Sequence, residues 1–401
     1  MNNYFTDASC TRHIFMFTYS GKPIFSTFNS DHLVSLTGTL CAIGSKFENR
    51  FSLCPQPDKL RHVIWGDLSM TYLDRGPIQC VYVSKFDTPS ISRRILELLH
   101  RQMVSILTRS IDRMLNKRPS YDLSQLMGGT SNILMESIHR SHSTIIGIVE
   151  GFQPLTMDPI YRTTIEAFVR VIQVPSIIAS FMFASDKVVS MALGKGVIMS
   201  ANDVTLISNM VMASKSLREM ESWTPICLPS IDENAFVHAY VNSLVDNIWL
   251  VYISANGDTE SFYSLSNQHL SIKQRITESG CINKVINALK SPPLSLEQFG
   301  IIHAVMWLKN IGQFTIASHN LLEALPSFRI IWNSMMHMDI PTLLVLKMTN
   351  SIYCFFRDDT SCLWLETSPE IDVTHGFIMG IQRYFTDHKD WFFIPKFPQI
   401  I

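Results

Sequence analysis

Residues 222–241 read Ser222-Trp223-Thr224-Pro225-Ile226-Cys227-Leu228-Pro229-Ser230-Ile231-Asp232-Glu233-Asn234-Ala235-Phe236-Val237-His238-Ala239-Tyr240-Val241. Pro225 and Pro229 bracket an apolar run, and a second run follows from Ala235. Proline removes an amide donor and clashes with the preceding turn, which bars a helix through the stretch. The pattern predicts a strand over 224–228, a short loop, and a strand over 235–243. Trp223 stands at the entry, where its ring can bury a large area. Nothing in the stretch is a nucleophile pair, a metal cluster or a phosphate loop. Its meaning has to come from what repeats around it.

Toward the C-terminus, 248–254 returns as a strand after a turn at Val245-Asp246-Asn247, and helical residues run to Leu289. Toward the N-terminus, Ser200–Leu217 has helical spacing with Ser200 or Asn202 as its cap, and 167–174 and 187–193 read as strands. The same order appears at the start of the chain. Strands are predicted over 13–18 and 23–26, turned at Ser20-Gly21, followed by a helix over about 32–46. Strands over 62–65, 68–73 and 78–83 come next, and then one long helix that Pro89 opens and that runs to Met114. A further helix is predicted over 121–138, with Gly128-Gly129 as a break. The last third repeats the order after the Ser291-Pro292-Pro293 linker. Strands fall at 301–308, 313–317, 342–348, 351–357 and 361–367, with a helix to Met338 broken at Pro326, a helix over 371–384 and an extra strand at 391–394. The expected architecture is α/β, with three copies of one strand-strand-helix-strand-strand-strand-helix unit. The expected domains are 1–145, 146–291 and 292–401.

The bulk numbers agree with a multi-unit globular chain. At roughly 150 residues per domain, 401 residues suggest two to three domains. A hydrophobic content of 46% against 17% charged residues supplies real cores and excludes global disorder. Lys plus Arg number 33 against 34 Asp plus Glu, so there is no excess positive field to hold nucleic acid. The eight Cys are scattered singly in apolar runs with no C-x-x-C, which reads as reduced, buried thiols in a cytoplasmic protein. The N-terminus lacks a basic region followed by an apolar run, so no signal peptide is expected. The longest uncharged apolar-rich run, 171–185, is shorter than the roughly 20 residues needed to span a bilayer.

Catalytic signatures are missing from the sequence. There is no G-x-S-x-G, no G-x-x-x-x-G-K-[ST], no G-x-G-x-x-G and no H-E-x-x-H. Gly194-Lys195-Gly196 and Gly21-Lys22-Pro23 have turn chemistry without a P-loop context. His139 and His142 sit three apart on a helix, but no Cys or carboxylate cluster joins them at ligand spacing. Met335-Met336-His337-Met338 reads as core or a helix end, and the 20 Met as adaptable packing. No cofactor and no metal are expected. Small sheets flanked by helices leave edges that invite partner strands, so the class these residues support is an interaction protein.

Several segments resemble the SAND family, the Mon-type subunit of the Mon–Ccz complex. They are Ser20-Gly21-Lys22-Pro23-Ile24-Phe25-Ser26, the pattern Ser35-x-x-Gly38-x-x-x-Ala42-x-x-Ser45-x-x-Glu48, Tyr121-Asp122-Leu123, Trp223 to Pro229 with Phe236 and His238-Ala239, and Gln313-Phe314-Thr315. The resemblance implies three longin units. It also implies one half of a heterodimeric guanine-nucleotide exchange factor, paired with a Ccz-type tri-longin subunit and recruited peripherally to late-endosomal or vacuolar membrane. The client would be a late-endosomal or vacuolar Rab GTPase, facing the first unit, with the other two units holding the heterodimer. Ser45, Lys46 and Glu48 are the candidate Rab-proximal residues. Gly21, Pro23, Tyr121, Asp122, Trp223, Pro225 and Pro229 are signature positions with structural roles, and residues 222–241 would supply two central strands of the middle unit. The chain departs from the family in starting its first strand near residue 13 and in its Trp65-Gly66-Asp67 turn.

Overall fold

The computed structural model describes residues 12–28, 31–51, 59–119, 121–170, 174–291, 294, 296–318, 321–336 and 342–395. Two compact units divide between His142 and Ser143. In the first, strands β1 (Arg12–Thr18), β2 (Pro23–Ser26), β3 (His62–Trp65), β4 (Leu68–Arg75) and β5 (Ile78–Ser84) form an antiparallel sheet in the order β2-β1-β5-β4-β3. Successive side chains of a strand point to opposite faces, and β1 buries both. Phe15 and Phe17 pack beneath helix α1 (Leu33–Phe51) with Leu36 and Leu40. Ile14 and Met16 pack on the other face with α2 (Pro89–Leu107), α3 (Ser110–Lys117) and α4 (Ser131–Ser143). That is why β1 reads as an unbroken apolar run rather than an alternating one.

The second unit holds two sheets of the same design. One contains β6 (Ile177–Ala184), β7 (Lys187–Leu193), β8 (Ser222–Ile226), β9 (Val237–Val245) and β10 (Ile248–Ser254), ordered β7-β6-β10-β9-β8. Its helices are α5 (Pro159–Val169), α6 (Ala201–Ala213), α7 (Lys215–Glu219), α8 (Pro229–Asp232), α9 (Thr259–Glu278) and α10 (Cys281–Lys290). The other contains β11 (Ile301–Leu308), β12 (Gln313–Ser318), β13 (Thr342–Lys347), β14 (Ile352–Arg357) and β15 (Ser361–Thr367), ordered β12-β11-β15-β14-β13, with α11 (Leu321–Met336), α12 (His375–Asp387) and α13 (Lys389–Phe392). Each sheet thus has its last strand beside its first, and helices flank it. The fold is α/β, with three longin-like units.

Within the second unit the two sheets share one connector. Phe152 bridges to Gln313 on β12, and Pro154 bridges to Val188 on β7, both in parallel. The Phe152 amide donates to Gly312 O at 3.1 Å, and the Val188 amide donates to Gln153 O at 2.9 Å. One stretch of backbone therefore satisfies two sheet edges, which unpaired would be templates for association.

Six expectations are corrected. The long helix over 89–114 is two helices, because Thr108 takes a positive φ of 61° and its amide ends α2 on Val104 O. No Gly or Pro marks the break, so the periodicity runs through it. The helix expected over 121–138 begins at Ser131, after turns that carry Gly128-Gly129. The strand expected over 167–174 is the end of α5: Asp158 accepts from the Ile160 amide, Pro159 opens the helix, and Ile165 and Val169 form its buried face. The actual first strand of that sheet is β6, and 171–173 lie outside the described residues. The loop between β8 and β9 contains the one-turn helix α8, which Pro229 starts rather than prevents. The strand expected at 391–394 is replaced by α13. Finally, β8 is an edge strand and not a central one, which is where a sheet tolerates Pro225. Pro292, Pro293, His337 and Met338 lie outside the described residues.

Candidate functional site

The first-unit site is built on α1. Its inner face, Leu36 and Leu40, is buried in the sheet, each worth roughly 1.5–3 kcal/mol on burial. The signature turn fixes its entry. Gly21 has a φ of 79°, and a Cβ there would lie 3.2 Å from Gly38 Cα. The Thr37 hydroxyl donates to Gly21 O at 2.9 Å, and the Cys41 thiol donates to Tyr19 O at 3.1 Å. Ser20 Oγ donates to Pro119 O at 2.9 Å. The pattern of small residues along α1 thus has two uses. Gly38 admits the turn, whereas Val34, Ser35, Ala42 and Lys46 are exposed. Ser45 is half-buried; Glu48 lies in α1, but its side chain is outside the described residues.

Under the C-terminal part of α1, where Gly44 leaves room, a small cavity is lined by Gly44, Lys59, Leu60, Tyr72, Asp74 and Gln79. The Tyr72 hydroxyl and Gln79 Oε1 are buried there without a protein hydrogen bond. At its rim, Lys59 Nζ lies 2.9 Å from Asp74 Oδ2 and donates to the Tyr19 hydroxyl at 3.3 Å, and Tyr19 donates to Asp74. Burial, reinforced by Asp74, raises the Tyr19 pKa. Burial pulls the Lys59 pKa down, but the bonds to Asp74 and Tyr19 outweigh it and the net shift is upward. Beneath the C-terminal part of α1 the apolar core thus gives way to a charged and polar cluster. Sequence reading missed Tyr19, Lys59, Asp74 and Gln79. They are spread over 60 positions, and only the sheet register, which sets Asp74 opposite Gln79, gathers them.

The other signature positions make packing, turn and strand-pairing contacts. Tyr121 packs against the first-unit core. Asp122 Oδ1 accepts from the Ser124 amide at 2.9 Å and its hydroxyl at 2.6 Å, which hold the Asp122 carboxyl below its usual range. Trp223 stacks on His238 with centroids 5.5 Å apart and meets Phe262 edge-on at 6.2 Å. Pro225 stands opposite His238 in the β8–β9 register. The Ser230 amide donates to buried Asp203 at 3.1 Å, fixing α8.

Burial pushes the Cys80 and Cys227 thiols up to about 12 and those of Cys354 and Cys362 up to about 11. Such thiols stay protonated and act as small core groups. His142 Nε2 lies 3.0 Å from the Tyr82 hydroxyl, which in turn donates to Asp87 at 2.7 Å. Among the described residues no group of three or more His, Cys, Asp or Glu could hold a metal ion, and no helix is long and apolar enough to cross a membrane.

The fold and this arrangement define a longin-class protein. Residues 12–136 match the first longin domain of FUZ, MON1 and HPS1, and residues 179–272 match the second. A vacuolar fusion protein MON1 homolog of Arabidopsis thaliana is 30% identical over 72% of this chain and 47% of its own length. One from Oryza sativa subsp. japonica is 29% identical over 71% of this chain and 49% of its own length. Protein SAND of Takifugu rubripes is 26% identical over 76% of this chain and 58% of its own length. The chain belongs to the MON1 (SAND) family, and it spans about half the length of the curated relatives it matches. A solved bacteriophytochrome, RpBphP3 of R. palustris, aligns over 88% of this chain and 82% of its own at 8% identity and a TM-score of 0.16, too low to bear on the fold.

Proposed function

We propose that the chain is one subunit of a heterodimeric guanine-nucleotide exchange factor, paired with a Ccz-type tri-longin subunit. Its client is a late-endosomal or vacuolar Rab GTPase, and its place is peripheral on the membrane where vacuoles or late endosomes fuse. Family membership carries this reading, since the relatives are named for vacuolar fusion. Exchange of this kind needs no covalent step. The factor binds a Rab conformation with a disturbed switch region more tightly than the nucleotide-bound one, and nucleotide affinity falls in proportion. The chain divides at about 145 and 291, so that the first longin unit faces the Rab and the others hold the heterodimer. In that unit Ser45, Lys46 and Glu48 of α1 are the client-facing residues. The test is to mix the purified chain, its Ccz-type partner and a Rab loaded with fluorescent GDP. Accelerated release supports the reading, and release no faster than from Rab alone rejects it. A second reading, a longin-type adaptor without exchange activity, draws on the open strand edges. It requires equal capture of the GDP- and GTP-loaded Rab in a pull-down.

A further inference from the structure

Arg162 is 4% exposed and sits on α5, in the middle of the second unit. Its guanidinium has five N–H donors. Nε donates to Val189 O at 3.3 Å, Nη2 to Leu155 O at 2.5 Å and to Trp391 O at 3.0 Å, and Nη1 to Phe393 O at 2.9 Å and to Asp390 O. Every donor thus meets a backbone carbonyl, and no hydrogen bond to a carboxylate is among them. Two acceptors belong to the connector and β7, and three belong to residues 390–393. The partners in that last group are what a one-turn helix leaves over. The last carbonyls of α13 have no intrahelical donor, and a cation at that end also meets the negative pole of the helix.

The same short segment is held from the other side. Phe392 and Phe393 are buried with Phe385 and Ile378 in the core of the third sheet. The Gln313 side chain of β12 pairs with Ile394 twice, donating to its carbonyl at 3.1 Å and accepting from its amide at 2.8 Å. The Met157 amide adds a bond to Trp391 O at 3.2 Å. Side chains therefore plug into one sheet's core, while carbonyls close on an arginine of the other.

We propose that Lys389–Ile394 is a latch closed on Arg162, and that this closure makes the two sheets of the second unit behave as one body. The pin reads backbone rather than side chains, so its strength depends on the donor fork and not on the latch sequence. Lysine offers three donors and no planar fork, so it cannot replace arginine here.

The test is hydrogen exchange on the full chain carrying Arg162→Met, with Arg162→Lys as the milder variant that retains the charge. In both, exchange at the Trp391, Phe393 and Ile394 amides accelerates by about ten-fold or more, while the central β10 amides keep their protection, as a local opening requires. Gln313→Leu frees the Ile394 amide and leaves Trp391 and Phe393 protected. Unchanged protection of Trp391 and Phe393 in Arg162→Lys would mean that the aromatic side chains alone hold the segment, and the proposal fails. Equal acceleration at β10 and at the latch in Arg162→Lys would make Arg162 a core residue with no latch function, and the proposal fails again.

Discussion

In the first unit His100 lies on α2 with Arg75, Arg109 and Arg101 as charged neighbours; burial, followed by those like charges, pushes its pKa down to about 4. In the second unit Arg162 is more deeply enclosed, carbonyls meet all five of its donors, and burial, partly countered by Asp390, lowers its pKa to about 10. The half-buried imidazole is neutral at pH 7, and the buried guanidinium is charged. Burial lowers the two by a similar amount, so the charge state follows from the guanidinium's far higher intrinsic basicity, and the satisfied donors are what make a buried cation tolerable there. The first unit therefore carries a latent acid sensitivity at α2. The second spends its buried charge on joining two sheets.

The largest effect expected is at one close-packed glycine from each unit. Gly151, with φ 138°, stands on the connector, and a Cβ there would lie 2.0 Å from Gly312 O. Gly21 has only a 3.2 Å approach to Gly38 Cα. Gly151→Ala is expected to cost about 3 kcal/mol or more in the second unit, and Gly21→Ala about 1–2 kcal/mol in the first. Urea titrations of the two variants check the order; equal costs would break the comparison.

Next comes the pH dependence of His100. Its folded pKa of about 4 lies below the ordinary value near 6.5, so the unfolded chain takes up the proton first as pH falls. Stability from this residue is intact above about pH 6.5 and declines through the window down to about pH 4, by up to about 3 kcal/mol. His100→Gln should flatten that part of the wild-type curve. His269 in the second unit is also held down, by burial and then Lys273, so the difference between wild type and His100→Gln is the quantity to read. An unchanged slope would remove His100 from the account.

A smaller effect is expected at Asp74. Its pair with Lys59 is partly exposed, at side-chain exposures of 53% for Lys59 and 16% for Asp74, so screening leaves Asp74→Asn a cost of about 0.5–1 kcal/mol. A cost as large as that of Gly21→Ala would show that the cluster under α1 anchors the first unit more firmly than the turn does.

Local pattern revealed most of the strands because β1, β5, β9 and β10 carry their own signals: apolar runs bounded by Gly, Asp or Asn turns. It failed where a distant contact decides. Trp391 to Ile394 has strand composition, but the Trp391 and Phe393 carbonyls serve an arginine about 230 positions earlier and that of Ile394 serves Gln313, so no strand ladder forms and Trp391 and Phe392 end α13. Residues 167–174 looked extended because Val, Ile and Phe dominate, yet Asp158-Pro159 upstream had already started a helix. For the candidate site, the small residues of α1 were legible as a pattern, with Lys46 exposed and Ser45 half-buried. The polar seat beneath them was not, because Tyr19, Lys59, Asp74 and Gln79 meet only through the sheet.

We propose that the first unit addresses the client while the second holds the assembly. Glu48→Lys on α1 separates those roles, measured as fluorescent GDP release from the Rab alongside gel filtration of the complex with the Ccz-type subunit. Release is predicted to fall toward that of Rab alone while the complex elutes unchanged. Undiminished release, or loss of the complex itself, would contradict the account.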